Sequence, residues 1–157
     1  VESGLRSTST STLTFFSLNF NLNLSHPVRL SYEYCVYQSF EDMPVWQKAM
    51  ELSLKVFSLT EDLPRKEDYG LTSQVRRSAL SVPGNLAEGF GRQHTKDKLN
   101  FYYASRGSLA ETKSHLIYGQ KVGYFRQSEC LLAMKLIEEV WKELNSLIRS
   151  LRRTTQP

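Results

Sequence analysis

The sequence has little of what builds stapled, metal-bound or membrane-spanning folds. Its 157 residues include only two cysteines, Cys35 and Cys130, with no CxxC spacing, too few for a disulfide framework. The three histidines (His26, His94 and His115) do not fall at intervals that ligate a metal. No apolar run reaches the roughly 18 residues of a membrane span, which excludes a helical integral membrane protein. A phosphate-cradling loop is missing too, because Gly89-Phe90-Gly91-Arg92 lacks the GK[ST] ending and follows a helical pattern, not a strand. His94, Ser108, Glu111 and His115 show no spacing that pairs a nucleophile with a base. No enzymatic reaction, cofactor or small-molecule substrate is expected. Cys130 reads as a packing residue.

Charge is scarce in the first quarter of the chain. Residues 1–39 carry only Glu2, Arg6, Arg29 and Glu33, whereas residues 40–157 carry 18 basic and 14 acidic groups, so the net charge of +4 resides there. The first methionine is Met43, and residue 1 therefore reads as a trimmed end, a non-standard start or a frame opened upstream. Residues 16–24 alternate apolar and polar, the period of a half-buried strand. With no partner strand in view, the expectation for residues 1–39 is a poorly ordered or non-native extension. Its apolar stretch is interrupted by Asn and lacks a basic lead, so it does not read as a signal peptide.

From residue 40 the period becomes helical. Val45, Ala49, Leu52, Val56, Leu59 and Leu63 step by 4, 3, 4, 3, 4, a heptad seam. Trp46, Met50 and Phe57 form a second stripe. Asp42 is the expected cap, with Pro44 in the first turn. A second helix is expected over 67–88, with Leu71, Val75, Ala79, Val82 and Leu86 inward and a kink or local break near Ser81–Val82 caused by Pro83. Gly89 and Gly91 suggest a left-handed stop. Thr95 is the expected cap of a third helix reaching about Val122, and Ser128 that of a fourth. There Ala133, Ile137, Val140, Leu144, Leu147 and Leu151 repeat the heptad steps, and Arg149, Arg152 and Arg153 complement the negative helix end. Four long helices with short connections predict an all-α, antiparallel up-down-up-down four-helix bundle over 40–157.

Two constellations stand out. The first is a polar face on the second helix (Gln74, Arg77, Ser81, Asn85, Glu88) answered on the third by Ala104, Gly107, Ser108, Glu111 and His115. If the faces meet, Glu111 lies near Arg77 or Asn85, and Gly107 permits close backbone approach. Such a layer can fix helix register, hold a ligand or contact another subunit. The second is basic. Between Arg65 and Arg126 there are 11 basic and 5 acidic residues, whereas the rest of the chain is net acidic. The turn Arg92-Gln93-His94-Thr95-Lys96-Asp97-Lys98 sits at a helix N-terminus, where free N–H groups attract anions. Phe90, Phe101, Tyr102 and Tyr103 are close enough in sequence to stack on unpaired bases. The alternative is a solvated basic face with Tyr102 and Tyr103 in the core.

Several stretches together resemble a known family. Phe40-Glu41-Asp42-Met43-Pro44-Val45-Trp46-Gln47-Lys48-Ala49 looks like the opening of the bacterial four-helix-bundle proteins encoded in intervening sequences of 23S ribosomal RNA genes. Residues 69–79 are similar to that family's second helix. Ser81-Val82-Pro83-Gly84-Asn85-Leu86-Ala87-Glu88-Gly89-Phe90-Gly91-Arg92 matches its most recognisable motif, and residues 104–111 match its third helix. The resemblance covers residues 40 to 126, with the fourth helix agreeing in pattern only. Gly84 and His115 depart from it, where Ser and Gln are usual, and residues 1–39 have no counterpart.

The resemblance implies a homo-oligomer, a five-fold ring of bundles, with no established catalytic activity. It also implies kinship with the accessory protein of diversity-generating retroelements, a basic bundle thought to bind nucleic acid. The expectation is a cytoplasmic protein offering Arg76, Arg77, Arg92, Lys96, Lys98 and Arg106 to the phosphates of RNA or DNA. One of Arg76 and Arg77 is a candidate for the polar layer, and helical spacing favours Arg77. The alternatives are a protein-interaction scaffold without a nucleic-acid role, or a selfish-element passenger of little cellular function.

Overall fold

Heptad spacing becomes packing in four helices: α1 (Pro44–Leu59), α2 (Leu71–Gly91), α3 (Thr95–Lys121) and α4 (Gln127–Thr154). The computed structural model describes residues 37–154, and the expectations for the extension before residue 37 lie outside them. No strand occurs among the described residues. Each helix touches two others, α1 with α2 and α4, and α3 with α2 and α4, while the diagonals do not meet. Contacting pairs run in opposite directions: Thr60 meets Arg76 and Ser53 meets Ala79 between α1 and α2. Lys113 meets Glu138 and Arg106 meets Asn145 between α3 and α4. The bundle is square and antiparallel.

The inward residues of α2 are all buried as the spacing predicts, and so are Val45, Ala49, Leu52 and Val56 of α1. Leu59 and Leu63 pack on the edge of that core, because α1 ends before Leu63 is reached. In α4, Ala133, Ile137, Val140 and Leu144 are joined inside by Cys130, Leu136 and Ile148, while Leu147 and Leu151 are half-buried. Cys130 is a free buried thiol whose pKa is pushed up by that burial.

The ends differ from the sequence expectations in instructive ways. Asp42 does not cap α1. It closes a short 3-10 turn by accepting the Ser39 N–H at 2.9 Å, leaving Met43 as the cap residue and Pro44 first in the helix. Glu67 lies before α2, where its carboxylate accepts the Leu71 N–H at 3.1 Å and the Tyr124 hydroxyl at 2.8 Å. Of the kink or local break expected at Pro83, the break is absent: α2 is continuous to Gly91. Proline offers no N–H to the carbonyl four residues back, and the Ser53 hydroxyl lies 2.9 Å from that Ala79 oxygen and 2.9 Å from the Ala49 carbonyl of its own helix, its one proton shared between them. The left-handed stop at Gly89 or Gly91 is not used either, since Arg92 follows in extended conformation. The positive-φ glycine is Gly123 (φ 83°), in the turn before α4. Thr95 is the first residue of α3, with His94 outside it, and Ser128 lies inside α4.

Candidate nucleic-acid interface

Six basic residues are expected at phosphates, and the fold distributes them over four places. Arg76 lies on the α1–α2 rim. Its Nε donates to Thr60 Oγ1 at 2.6 Å, and its guanidinium covers the Phe57 ring 4.3 Å away. Thr60 in turn donates to the carbonyls that end α1. Arg76 is therefore held against the end of α1, away from the polar face to which helical spacing assigns Arg77. The two residues are 100° apart on α2, and the bundle turns the first of them towards the end of α1.

Arg77 projects from the α2–α3 rim, held by Gln74 Oε1 at 2.8 Å with Glu111 Oε1 at 3.8 Å. The expected proximity of Arg77 and Glu111 is present, but in solvent. Asn85 turns back to its own helix, donating to the Ser81 carbonyl at 2.7 Å, and Ser81 donates to the Arg77 carbonyl. Glu88 pairs with Arg92. Gly107 is exposed, and a methyl group there would meet nothing within 4 Å, so close approach is not its role within the chain. Ser108 is half-buried, and its carbonyl accepts the Thr112 hydroxyl at 2.8 Å.

The buried hydroxyl layer between α2 and α3 uses other residues. Thr112 Oγ1 lies 3.1 Å from Ser78 Oγ, and Ser105 Oγ donates to the Val82 carbonyl at 2.9 Å. Serine and threonine can return their hydroxyl to nearby backbone, so they enter a core that amide and carboxylate side chains leave. The glycines in tight contact are Gly89, where an added Cβ would lie 2.5 Å from the Tyr102 ring, and Gly119, which faces the Phe125 ring.

At the α2–α3 turn, Arg92 covers the Phe101 ring at 4.5 Å as well as pairing with Glu88. Lys98 Nζ donates to the Phe90 carbonyl at 2.8 Å, closing the C-terminal end of α2. Lys96 is exposed beside them. Tyr102 belongs to the core and not to a stacking surface, and burial pushes its phenol up to about 12.

The fourth place is the seam between α3 and α4, and it contains a cluster that sequence reasoning missed. Arg106, the sixth expected residue, lines a groove of about 520 Å³ with Tyr103, Trp141, Lys142, Arg149 and Arg152. Arg106 Nη1 donates to Asn145 Oδ1 at 3.0 Å, while Asn145 Nδ2 donates to the Trp141 carbonyl at 2.8 Å. The guanidinium lies 5.1 Å from the Tyr103 ring centre and 5.9 Å from that of Trp141. Its partners are thus an amide and two rings, and no carboxylate neutralises it among the described residues. On α4 the spacing of Trp141, Asn145, Arg149 and Arg152 is 4, 4, 3. That pattern is readable in the sequence, but there the arginines look like partners of the helix dipole alone.

Antiparallel packing carries the basic α2–α3 turn and the last turns of α4 to the same end of the bundle. Residues 88–110 hold four basic groups and two acidic, residues 144–157 hold three basic and none acidic, and the turn before α1 adds Glu41 and Asp42 at the same end. The opposite end is mixed: residues 60–70 carry four acidic and two basic groups. Among the described residues no group of three or more His, Cys, Asp or Glu side chains is placed to hold a metal ion, and no helix is long and apolar enough to cross a membrane.

No curated protein matches the sequence. Among solved structures the fold is similar to a protein of unknown function from the S23 ribosomal protein family of Bacteroides thetaiotaomicron. It is 20% identical, with a TM-score of 0.60 over 66% of this chain and 97% of that one. The sequence also matches, over residues 41–146, the family described as 23S rRNA-intervening sequence protein. That span takes in α1, α2, α3 and most of α4, and the chain belongs to this 23S rRNA-intervening sequence protein family.

Proposed function

We propose that this chain is a non-enzymatic, self-assembling bundle that binds RNA or DNA through its basic end. The observation that carries the reading is the convergence there of seven basic side chains against four acidic ones (Glu41, Asp42, Glu88 and Asp97), from segments far apart in sequence. Cations gathered on one surface attract the phosphate backbone regardless of base sequence, and their effect multiplies when copies assemble.

Self-assembly has its own support. Leu54, Phe57 and Leu80 are exposed on the α1–α2 wall. On the opposite wall, Leu109, Ile117, Ile137 and Trp141 line an apolar groove of about 410 Å³ between α3 and α4. Two unlike apolar patches on opposite walls suit head-to-tail contacts, which close into rings when the rotation permits. The five-fold ring suggested by the family is one such closure.

The test is fluorescence anisotropy of a labelled structured RNA with the full chain over a salt series, with sedimentation velocity for assembly. Binding should weaken steeply with salt. Changing Lys96, Arg149 and Arg153 to Ala should flatten the slope by about 0.7–0.9 for each phosphate no longer neutralised. No binding at low salt, or a slope indifferent to all three changes, sinks the nucleic-acid reading and leaves a protein-interaction scaffold. A monomer at micromolar concentration sinks the assembly.

A further inference from the structure

We infer that the basic groove between α3 and α4 takes an unpaired stretch of nucleic acid, with a base stacked in the aromatic corner of Tyr103 and Trp141 and phosphates on Lys142, Arg149 and Arg152. This rests on the nucleic-acid reading above and adds to it a location and a strand preference.

The groove combines two features that single-strand sites need, a cationic track and a stacking platform. Four of its eight lining residues are cationic, two are aromatic and none is acidic. Elsewhere the cations expected at phosphates are largely spoken for. Arg92 has Glu88, Arg77 has Glu111, Lys98 has a carbonyl and Arg76 has Thr60. Arg106 is half-buried yet meets only neutral partners, so its charge is held in place without being cancelled. The Trp141 carbonyl fixes the Asn145 amide, and Asn145 in turn fixes the guanidinium plane between the two rings. A planar cation flanked by aromatics offers a face for a base and N–H groups for a phosphate.

Tyr103 is 37% exposed and Trp141 42% exposed, so the ring surfaces remain reachable. A duplex hides its base faces inside its own stack, and only an unpaired base can use this corner. The other occupant to consider is a second copy of the chain. The apolar ridge of Leu54, Phe57 and Leu80 would cover Arg106, Lys142 and Arg149 without supplying counter-charge, at a cost in desolvation. That ridge suits the adjoining apolar groove, which shares Trp141.

The experiment compares a labelled 12-nucleotide single-stranded RNA with a hairpin duplex of similar length, using the full chain and Trp141→Leu. The single strand should bind about tenfold tighter than the hairpin. Trp141→Leu should weaken single-strand binding by about 5- to 150-fold, the range for losing one stacked base, and weaken hairpin binding by much less. A second readout leaves the groove intact. Trp46→Phe makes Trp141 the only tryptophan, and its fluorescence should be quenched by the single strand and not by the hairpin.

Equal affinity for both RNAs, with Trp141 fluorescence unmoved, overturns the groove while the nucleic-acid reading stands. Failure to bind either RNA at low salt removes both. Loss of assembly in Trp141→Leu, with the Trp46→Phe protein unquenched, assigns the groove to a second copy and overturns the inference. Should Trp141→Leu not fold, the exposed pair Lys142→Gln and Arg149→Gln replaces it, with the same direction of effect expected.

Discussion

Helix α3 has two neighbours and treats them differently. Against α2 it is closely fitted: Gly89 admits the Tyr102 ring, Ser105 reaches a backbone carbonyl, and Thr112 meets Ser78. Against α4 it leaves two grooves, in which Trp141 stays exposed and Arg106 keeps its charge unpaired by any described carboxylate. Small residues make the first seam and large amphipathic ones the second. A seam of Gly, Ser and Thr lets backbones approach and leaves no room for a visitor. A seam of Tyr, Trp and Arg holds the helices apart by their side chains and leaves a recess between them. The closed seam carries stability, and the open seam is free to carry binding.

The comparison can be broken most forcefully at Gly89. Gly89→Val drives a branched side chain into a ring 2.5 Å from its Cβ, and thermal or urea unfolding should show a loss of about 2–3 kcal/mol. A loss below about 0.5 kcal/mol would mean that α2 and α3 are not so tightly apposed. Gly107→Ala is the counterpart in the same pair of helices. The new methyl group meets nothing within 4 Å, so the isolated bundle should gain about 0.5–1 kcal/mol from helix propensity. If Gly107→Ala instead reduces assembly in sedimentation, the glycine serves a contact between copies.

The smallest effect concerns neither seam but the end of the bundle that lacks the basic cluster. Glu67 accepts the Leu71 N–H and the Tyr124 hydroxyl, which hold its carboxyl below the ordinary 4.5. A carboxylate with a depressed folded pKa stabilises above its unfolded value, and that contribution disappears as pH falls through the folded one. Melting temperature should therefore fall as pH drops below about 4.5, and fall less in Glu67→Gln. Equal acid sensitivity in both proteins would remove Glu67 from the account.

Much of the fold was legible because burial follows a period. Val75, Ala79, Val82 and Leu86 lie on one stripe whatever their neighbours are, and the core takes them all. Direction around the bundle is not written in that way. Whether Arg76 or Arg77 meets α1 depends on which side α1 lies, and a single helix does not encode it. The hydroxyl layer does not show in the sequence for a related reason: Ser78, Ser105 and Thr112 look polar in a pattern but behave as core residues once bonded to their own or a neighbouring helix. The basic groove needs Tyr103 and Arg106 to meet Trp141 and Arg149, nearly 40 residues later in the chain. Each half reads as an ordinary amphipathic surface until α3 and α4 are set side by side. Family resemblance supplied the bundle without pointing to this seam.

Pro83 has a consequence for how the helices find their alignment. By removing one N–H from α2 it leaves the Ala79 carbonyl to be served from outside, and the hydroxyl that faces it is Ser53 on α1, 2.9 Å away and equally close to the Ala49 carbonyl. A slide of α1 by one turn would replace Ser53 at that point with Ala49 or Phe57, neither of which has a side-chain donor. The missing N–H in one backbone thus acts as an index mark read by the other, admitting one of the several shifts that a heptad repeat would otherwise allow.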